Sequence, residues 1–259
     1  MMRSNFDLYP NIFGSSDYLC HYTSFNNLCS ILSTMTLRIG SYKNSNDIAE
    51  LDSNISSLLD SNKQSEVEQY IANQCGYISF STHIWDTQND VISKVGYLIP
   101  SMWGIYADKS RGACMILDKD TLIKENAQML SLANWFDFID IFYHQYQALK
   151  LVPKTESIED VVRQNYKHII GVKHDSWSFE QEHRFIGCGL PPTLSLKNGV
   201  IRGIVVGKQS SIEDKNKLLS ILNDENLACY NQIDKSRFVV QEIIGANVYT
   251  TDFGVYFDS

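Results

Sequence analysis

The sequence lacks the long apolar segments that place a protein in or across a membrane. No apolar run approaches the ~20 residues that a membrane-spanning helix needs. The start of the chain, MMRSNFDLYPNIFGSSDYLC, has one arginine and no continuous apolar stretch, so it does not fit a secretory signal. We therefore expect a cytoplasmic protein without membrane association.

The chain also lacks the cysteine spacings that are typical of metal sites and disulfide scaffolds. Its 6 cysteines include no C-x-x-C pair, and they are not grouped closely with the 6 histidines. Cys20, Cys114 and Cys188 lie in apolar, strand-like runs, where a cysteine is usually a small buried hydrophobe. The sequence predicts neither a zinc site nor a disulfide framework, and we expect no metal cofactor.

Positive charge is scarce. The chain has 22 lysines and arginines against 30 aspartates and glutamates, a net charge of −8 and a pI near 5.2. Because contacts with phosphates provide most of the nonspecific affinity for duplex nucleic acid, this composition argues against a broad duplex-binding surface. It leaves room for a local pocket that holds a few nucleotides. The sequence contains no G-x-G-x-x-G or Walker loop.

Strand and helix patterns are both present, without the regular alternation of a doubly wound sheet. At 259 residues and 44% apolar composition the chain is long enough to bury a large core in one domain, residues 1–259. Strands are predicted near residues 18–24, 76–82, 111–117 and 199–208. Helices are predicted after the cap Ser24 and near 157–170 and 211–223. We expect an α+β fold in which residues 48–75 form a helical insertion or lid.

The stretch WSFEQEHRF, residues 177–185, concentrates charge between aromatic residues. As a strand with period 2 it places Glu180, Glu182 and Arg184 on one face, and Phe179, His183 and Phe185 on the other. Two acids and a base in a row are typical of a reactive site. On its own, however, such a pattern is more often a solvated edge strand with a cross-strand ion pair, and the rest of the chain must favour the reactive site.

Between about residues 18 and 207 the chain carries seven blocks in this order: HYTSFNNLCSIL, TLRIG, NDIAE, ISFST, MWGIYADKSRGACMIL, a lysine with WSFEQEHRF, and IRGIVVGK. This succession resembles a bacterial family, the domain of unknown function 2971. The chain departs from the family after Asp47, where Ile48 stands in place of a common proline. The family is distantly similar to the ADP-ribosyltransferase superfamily and its toxins, which implies a split pair of small β-sheets with flanking helices.

The resemblance implies that Glu182 is the catalytic acid, because the second acid of an E-x-E pair is commonly the essential one in that superfamily. Glu180 would help to activate the acceptor, and the two roles are interchangeable. Cleavage of the nicotinamide bond of NAD develops oxocarbenium character on the ribose, which a carboxylate near the 2′-hydroxyl stabilises. Two like charges this close are expected to raise the pKa of one carboxyl.

The first predicted strand supplies the next candidates. In the superfamily a histidine here contacts the ribose hydroxyls, which implies His21, although a buried core histidine fits the pattern without the family. Thr23 shares the face of His21 and is placed to support the nicotinamide amide. Tyr22 faces the other way and fits the core, so its contribution to cofactor binding would come from the main chain of this strand.

The remaining candidates are spread along the chain. Tyr106 is the ring expected to stack on nicotinamide, with Trp103 packed beneath it and Met102 in the core. Ser79 and Ser81 would hold the catalytic glutamate by hydrogen bonds. The guanidinium groups of Arg38 and Arg184 suit the diphosphate of NAD, or alternatively ion pairs with neighbouring acids. Three further residues are expected to close the rim of the NAD pocket: Asn46, Asp47 and Glu50. Alternatively, Asp47 caps the next helix.

These features together predict an NAD-dependent ADP-ribosyltransferase, a glycosyltransferase with NAD as its co-substrate. The resemblance to base-modifying toxins favours a nucleobase of single-stranded RNA or DNA as acceptor, with a protein side chain as the next choice. It also implies a role in antiphage (antiviral) defence or a toxin-antitoxin system, with a neutralising antitoxin protein as partner. The alternatives are an NAD glycohydrolase and a catalytically inactive binding module of the same fold.

Overall fold

A computed structural model describes residues 18–42, 61–86, 88, 91–144, 157–227, 229, 231–233, 239–244 and 247–250. Its strands, in chain order, are β1 (Tyr18–Thr23), β2 (Thr36–Arg38), β3 (Gly40–Ser41), β4 (Cys75–Thr82), β5 (Ile84–Asp86), β6 (Val91–Lys94), β7 (Ala113–Asp118), β8 (Trp135–Asp140), β9 (Phe142–His144), β10 (Val172–His174), β11 (Glu182–Cys188), β12 (Thr193–Ser195), β13 (Ile201–Val206), β14 (Val239–Ile244) and β15 (Asn247–Thr250). Its helices are α1 (Phe25–Thr34), α2 (Ser61–Gln74), α3 (Pro100–Ile105), α4 (Lys119–Glu125), α5 (Ala127–Leu130), α6 (Ile158–Ile169), α7 (Ile212–Asn223) and a 3-10 helix at Asp175–Glu180. The mixture of helices with mainly antiparallel strands confirms the α+β class.

The chain divides into two compact units. The first consists of Met1–Leu37, Ser81–Asn126 and Leu194–Ser259. Its strands lie in the order β15–β14–β13–β7–β1, and the last two residues of β4 pair with β1. All neighbours in this order are antiparallel except β13 and β14, which are parallel.

Local sequence explains the elements of the first unit. The central strand β7 is buried along its run ACMIL, which accounts for a continuous apolar stretch instead of an alternating one. Helix α1 begins where the Ser24 hydroxyl accepts a hydrogen bond from the Asn27 N–H at 3.3 Å. This confirms the predicted cap, and the predicted helix at 211–223 is present as α7 with its cap at Ser211.

A turn of unusual conformation follows α3 in the first unit. Asp108, Lys109 and Ser110 have φ angles of 47°, 55° and 66°, the left-handed region that L residues seldom occupy in succession. The turn is held by a hydrogen bond from the Ser110 N–H to the Trp103 carbonyl at 2.9 Å. Its exit requires glycine, because a Cβ at Gly112 would lie 2.2 Å from the Thr23 carbonyl oxygen.

The second unit consists of Arg38–Phe80 and Ala127–Thr193. Within it β11 lies between β4 and β8, antiparallel to β8 with Arg184 opposite Ile139, while β3 pairs with β4. A separate parallel pair joins β9 to β10. One face of these strands packs against α2 and α6 through a core that includes Val67, Ile71, Val162, Ile169 and Ile186.

The sequence predicts a helix near 157–170 and a helical insertion at 48–75 in the second unit. Helix α6 confirms the predicted helix near 157–170, and the Ser157 hydroxyl caps it. Of the predicted insertion at 48–75, α2 carries side chains that are buried in the core of this unit. The predictions for Asn46, Asp47 and Glu50 lie outside the described residues. The split into two small sheets stays a prediction.

The structure corrects the expectation for Cys188. Its sulfur is bonded to that of Cys75, which joins strands β4 and β11 at a Cα–Cα distance of 4.1 Å. The two cysteines are 113 residues apart, so their spacing gives no signal of a bond in the sequence. The burial that was predicted for Cys20 and Cys114 is confirmed.

Within the described ranges, no helix has the length and apolar character required to cross a membrane.

The left-handed turn generates a prediction about stability. Substitution Lys109→Gly should raise the free energy of unfolding by up to about 1 kcal/mol, because glycine adopts a φ of 55° without steric cost. The matched substitution Lys217→Gly, in the interior of α7, should lower it by about 1 kcal/mol. Urea denaturation of both variants at pH 7 measures the difference. A loss of stability in Lys109→Gly would contradict this account of the turn.

Candidate active site

The segment WSFEQEHRF does not form one continuous strand. Residues up to Glu180 belong to the 3-10 helix, Gln181 has φ 48° and ψ 48°, and β11 begins at Glu182. The prediction of a strand over 177–181 is therefore wrong. The His174 ring at the start of the 3-10 helix accepts a hydrogen bond from the Ser176 N–H at 3.2 Å. Such side-chain caps, together with Ser and Asp residues, favour a turn over a strand.

The two glutamates nevertheless meet, by a different route from the one predicted. Gln181, which lies between them, has a left-handed backbone conformation and separates the 3-10 helix from β11. Lys173 Nζ lies 2.8 Å from Glu180 Oε2 and 2.8 Å from Glu182 Oε2. We call Lys173, Glu180, Glu182 and Arg184 the charged cluster; all four residues are buried. Alternation does hold within β11 itself, where the ring of His183 instead stacks on Phe138.

Glu182 is the most fully coordinated member of the charged cluster. Its Oε1 accepts hydrogen bonds from Arg184 Nε at 2.6 Å and from the Ser79 hydroxyl at 2.5 Å. Its Oε2 lies 2.9 Å from Arg184 Nη2 and 2.8 Å from Lys173 Nζ. A carboxylate offers about four acceptor positions, so these contacts use them all. The predicted hydrogen bond from Ser79 to the late glutamate is present.

The ionisation of Glu182 follows from these contacts. Burial alone would raise the pKa of this carboxyl, but the charges of Arg184 and Lys173 and their hydrogen bonds outweigh burial and lower the pKa to about 2. The sequence-based expectation was a raised pKa for one of the two acids. Glu182 is not an acid with a raised pKa, because the cations Arg184 and Lys173 contact its carboxylate directly.

Arg184 has the ion pair that was the alternative to a diphosphate contact. Its side chain is fully buried, and its Nη1 donates to the Ile170 carbonyl oxygen at 2.9 Å. The guanidinium carbon lies 4.7 Å from the centre of the Tyr77 ring, a cation–π contact. Because Nε and Nη2 of Arg184 bind Glu182 and the Tyr77 ring covers one face of the guanidinium, Arg184 presents no open surface to a phosphate. The structure thus shows the ion pair for Arg184, and its diphosphate role stays a prediction.

Two cluster partners were missed from the sequence. Lys173 is in β10, and Tyr143, on β9 opposite it, accepts a hydrogen bond from the Glu182 N–H at 2.9 Å. Burial, followed by the nearby glutamates, raises the pKa of the Tyr143 hydroxyl. One signal for Lys173 was available: a lysine between Val172 and His174 in an apolar run needs an acidic partner if it is buried.

In the first unit, β1 carries the candidates His21, Tyr22 and Thr23. His21 is half-buried and lies opposite Met115 of β7, and Thr23 is buried. Tyr22 faces the core, as predicted: its hydroxyl donates to the Gly96 carbonyl at 2.8 Å and accepts from the Ile99 N–H at 3.3 Å. Burial raises the pKa of the Tyr22 hydroxyl well above its ordinary value.

Helix α3 positions the aromatic candidates of the first unit. Tyr106 is the residue at its C-terminal end and is half-buried. Met102 and Trp103 are buried, which confirms the core position predicted for Met102. The Trp103 ring meets that of Tyr22 edge to face, with the ring centres 5.2 Å apart.

The other predicted residues differ in exposure. Ser81 is fully buried on β4 beside Cys20, whereas Ser79 is exposed. Arg38 is exposed at the end of β2 and has no ion-pair partner among the residues that the structure describes. No group of three or more His, Cys, Asp or Glu side chains in the described ranges is placed to bind a metal ion.

The charged cluster and most of α3 fall within a region that resembles a known family. Residues 102–185 match the model of the family described as "Protein of unknown function (DUF2971)". This match confirms the resemblance over less than half of the chain. A search of curated proteins finds no match.

Among solved structures, "Thermus sp. 2.9 DarT in complex with NAD+" is similar with 13% sequence identity and a TM-score of 0.37, over 88% of this chain and 96% of that chain. A likeness at this score and identity is not evidence of a shared fold or activity.

Replacement of Glu182 should destabilise the protein strongly. Substitution Glu182→Gln leaves the buried Arg184 charge without its counterion and leaves Lys173 paired with Glu180 alone, a change that typically costs about 3–5 kcal/mol. The control Glu159→Gln alters an exposed residue of α6 and should change the free energy of unfolding by less than about 0.5 kcal/mol. Denaturant titrations at pH 7 measure both. Equal losses in the two variants would rule out a structural role for the charged cluster.

The same carboxyl predicts a dependence of stability on pH. Its pKa is about 2 in the folded protein against an ordinary value of 4.5, so its contribution is present above pH 4.5 and is lost as the pH falls toward 2. The difference corresponds to about 3 kcal/mol. Free energies of unfolding measured from pH 6 to pH 2 should fall more steeply for the parent than for Glu182→Gln. Parallel curves would show that Glu182 does not carry this dependence.

Proposed function

From the match of residues 102–185 and the paired glutamates inside it, we propose that this protein is an NAD-dependent ADP-ribosyltransferase. The observation that carries the proposal is the convergence of Glu180 and Glu182 on Lys173, with 2.8 Å from its Nζ to each carboxylate. The reaction requires one acid that stabilises positive charge and a second that accepts a proton, held close together. Glu180 at the end of the 3-10 helix and Glu182 at the start of β11 would supply them, and their resemblance to the E-x-E pair of ADP-ribosyltransferases suggests which acid has which role.

The proposed reaction breaks the bond between the nicotinamide nitrogen and C1′ of the ribose. Nicotinamide leaves with the electron pair of that bond, and the acceptor nucleophile forms a new bond to C1′. Positive charge grows on the ribose in the transition state, so the carboxylate of Glu182 is stabilising next to the 2′-hydroxyl. The proton of the acceptor passes to Glu180, which acts as general base.

The contacts of Glu182 suggest where a ribose hydroxyl would enter. Three of its four contacts come from the charged groups of Arg184 and Lys173, and loss of any of them is costly. The fourth comes from the neutral hydroxyl of Ser79, which is an exposed residue. Exchange of one neutral donor for another changes the energy little. The 2′-hydroxyl would therefore take the place of Ser79 on Oε1.

For the other residues we propose the roles that the family resemblance implies. His21 contacts the ribose hydroxyls, and the main chain at Tyr22 and Thr23 holds the nicotinamide amide. Tyr106 stacks on the nicotinamide ring. The exposed guanidinium of Arg38 is suited to the diphosphate.

For the acceptor we propose a nucleobase in single-stranded RNA or DNA. A net charge of −8 is unfavourable for duplex binding, whereas one unpaired base held in a pocket needs few phosphate contacts. The biological setting that fits such an activity is a toxin of bacterial antiphage defence or of a toxin-antitoxin system, restrained by an antitoxin protein. An NAD glycohydrolase is the second candidate, because the same glutamates would promote attack by water.

The test uses NAD that is labelled in its ADP-ribose part, incubated with the protein and total bacterial extract. Label that becomes bound to macromolecules and is released by nuclease, and not by protease, supports the proposed acceptor. Release by protease alone would overturn the choice of acceptor. Free labelled ADP-ribose without bound label would favour the glycohydrolase. If the folded protein consumes no NAD, the proposal of an enzyme is wrong, and a catalytically inactive binding module is the remaining alternative.

Variants connect the activity to the site. Glu180→Gln should reduce label transfer by at least ~100-fold, the usual effect of removing a positioned catalytic group. Glu159→Gln, which replaces an exposed glutamate of the second unit, should leave the rate unchanged. Circular dichroism at the assay temperature checks that each variant is folded. Full activity of Glu180→Gln would remove this residue from the mechanism.

A further inference from the structure

Lys173 occupies a position where lysine is rare. It is the middle residue of β10, paired in parallel with Tyr143 of β9, and only 9% of its side chain is exposed. A buried lysine is stable when charged only if acids and other acceptors replace the water that it has lost. The role of Lys173 can therefore be inferred from the groups that contact its ammonium.

The ammonium group lies where three elements meet. It is 2.8 Å from Glu180 Oε2 on the 3-10 helix and 2.8 Å from Glu182 Oε2 at the start of β11. The centre of the Trp177 ring is 5.7 Å away, within the range of a cation–π contact. Lys173 thus fixes the end of the 3-10 helix relative to the beginning of the strand.

Other groups surround the two carboxylates. Arg184 contacts Glu182 through Nε and Nη2, and its Nη1 donates to the Ile170 carbonyl oxygen. From β9, Tyr143 faces the cluster with a neutral hydroxyl, and from β4 the Ser79 hydroxyl donates to Glu182. Lys173 contacts both glutamates, at 2.8 Å from each.

We propose that Lys173 is a positioning residue of this site: its ammonium holds Glu180 and Glu182 in fixed relative positions and places one positive charge between the two carboxylates. Its catalytic part rests on the proposed transferase function. Its structural part, the shared ammonium and its effect on the two acids, can be measured without any turnover.

Removal of the ammonium has a defined consequence for the acids. Two carboxylates in one buried site without a shared cation repel each other, so one of them is expected to take up a proton more readily in the variant than in the parent. A carboxyl that carries a proton cannot accept the proton of the acceptor. The rate of the variant should therefore rise as the pH increases and this proton is lost.

The experiment compares Lys173→Met with Lys173→Arg in the full chain. Lys173→Met should lower NAD consumption at pH 7 by about 100-fold and move the acid limb of the pH–rate profile upward by at least about 1 pH unit. Lys173→Arg retains the charge and should keep the limb within about 0.5 pH unit of the parent. The control Lys167→Met replaces a lysine of the same unit whose side chain is 65% exposed, and it should leave the profile unchanged.

A second measurement separates this inference from the proposed function. Glutamate side chains labelled with ¹³C at the carboxyl are titrated by NMR in the parent and in Lys173→Met. A carboxyl signal that titrates at least about 1 pH unit higher in the variant, together with no NAD consumption by the parent, would overturn the function and support the role of Lys173. An unchanged titration and an unchanged pH–rate profile in an active enzyme would overturn the inference alone.

A charge-balanced variant covers the case in which Lys173→Met fails to fold. The double variant Lys173→Met/Glu180→Gln removes one cation and one anion and leaves the Glu182–Arg184 pair intact. It should fold and should be more stable than Lys173→Met by denaturant titration. If both variants are unfolded to the same extent, Lys173 acts through packing and not through its charge, and the inference is wrong.

Discussion

The second unit depends on the ion pair between Glu182 and Arg184. Arg184 is a fully buried side chain, and a buried guanidinium is tolerated only when its hydrogen bonds are satisfied by acceptors of the right geometry. Glu182 and Arg184 are neighbours on one face of β11, so Nε and Nη2 of Arg184 both donate to the Glu182 carboxylate. The Ile170 carbonyl accepts a further hydrogen bond from Nη1. Lys173 and Glu180 add a second pair of charges, so that the charged cluster has two acids and two bases.

This balance of charge holds the Glu182 side chain in place and lowers the pKa of its carboxyl. Each carboxylate oxygen of Glu182 has a charged donor, which removes most rotational freedom from the side chain. An acid of low pKa is a poor proton acceptor but a persistent negative charge. Such a persistent charge would suit the electrostatic stabilisation of a cationic ribose in the reaction proposed above. In that proposal the proton transfer is the role of Glu180.

Much of the fold could be predicted from local patterns. The cap at Ser24, the helices near 157–170 and 211–223 and the apolar run of β7 are determined by near neighbours, and the structure has them where the sequence indicates. The charged cluster could be predicted in part, since the resemblance identifies both glutamates. Its geometry depends on Lys173 and on a left-handed Gln181, and both effects arise from contacts that local propensity does not encode.

The bond between Cys75 and Cys188 has a mechanical consequence for the same strands. It crosses from β4 to β11, which also carry Ser79 and Glu182, and it closes a loop of 113 residues. A covalent bridge between two neighbouring strands resists sliding of one along the other. The disulfide near one end of the two strands and the contacts of Glu182 near the other therefore both maintain the alignment that brings the Ser79 hydroxyl to the Glu182 carboxylate.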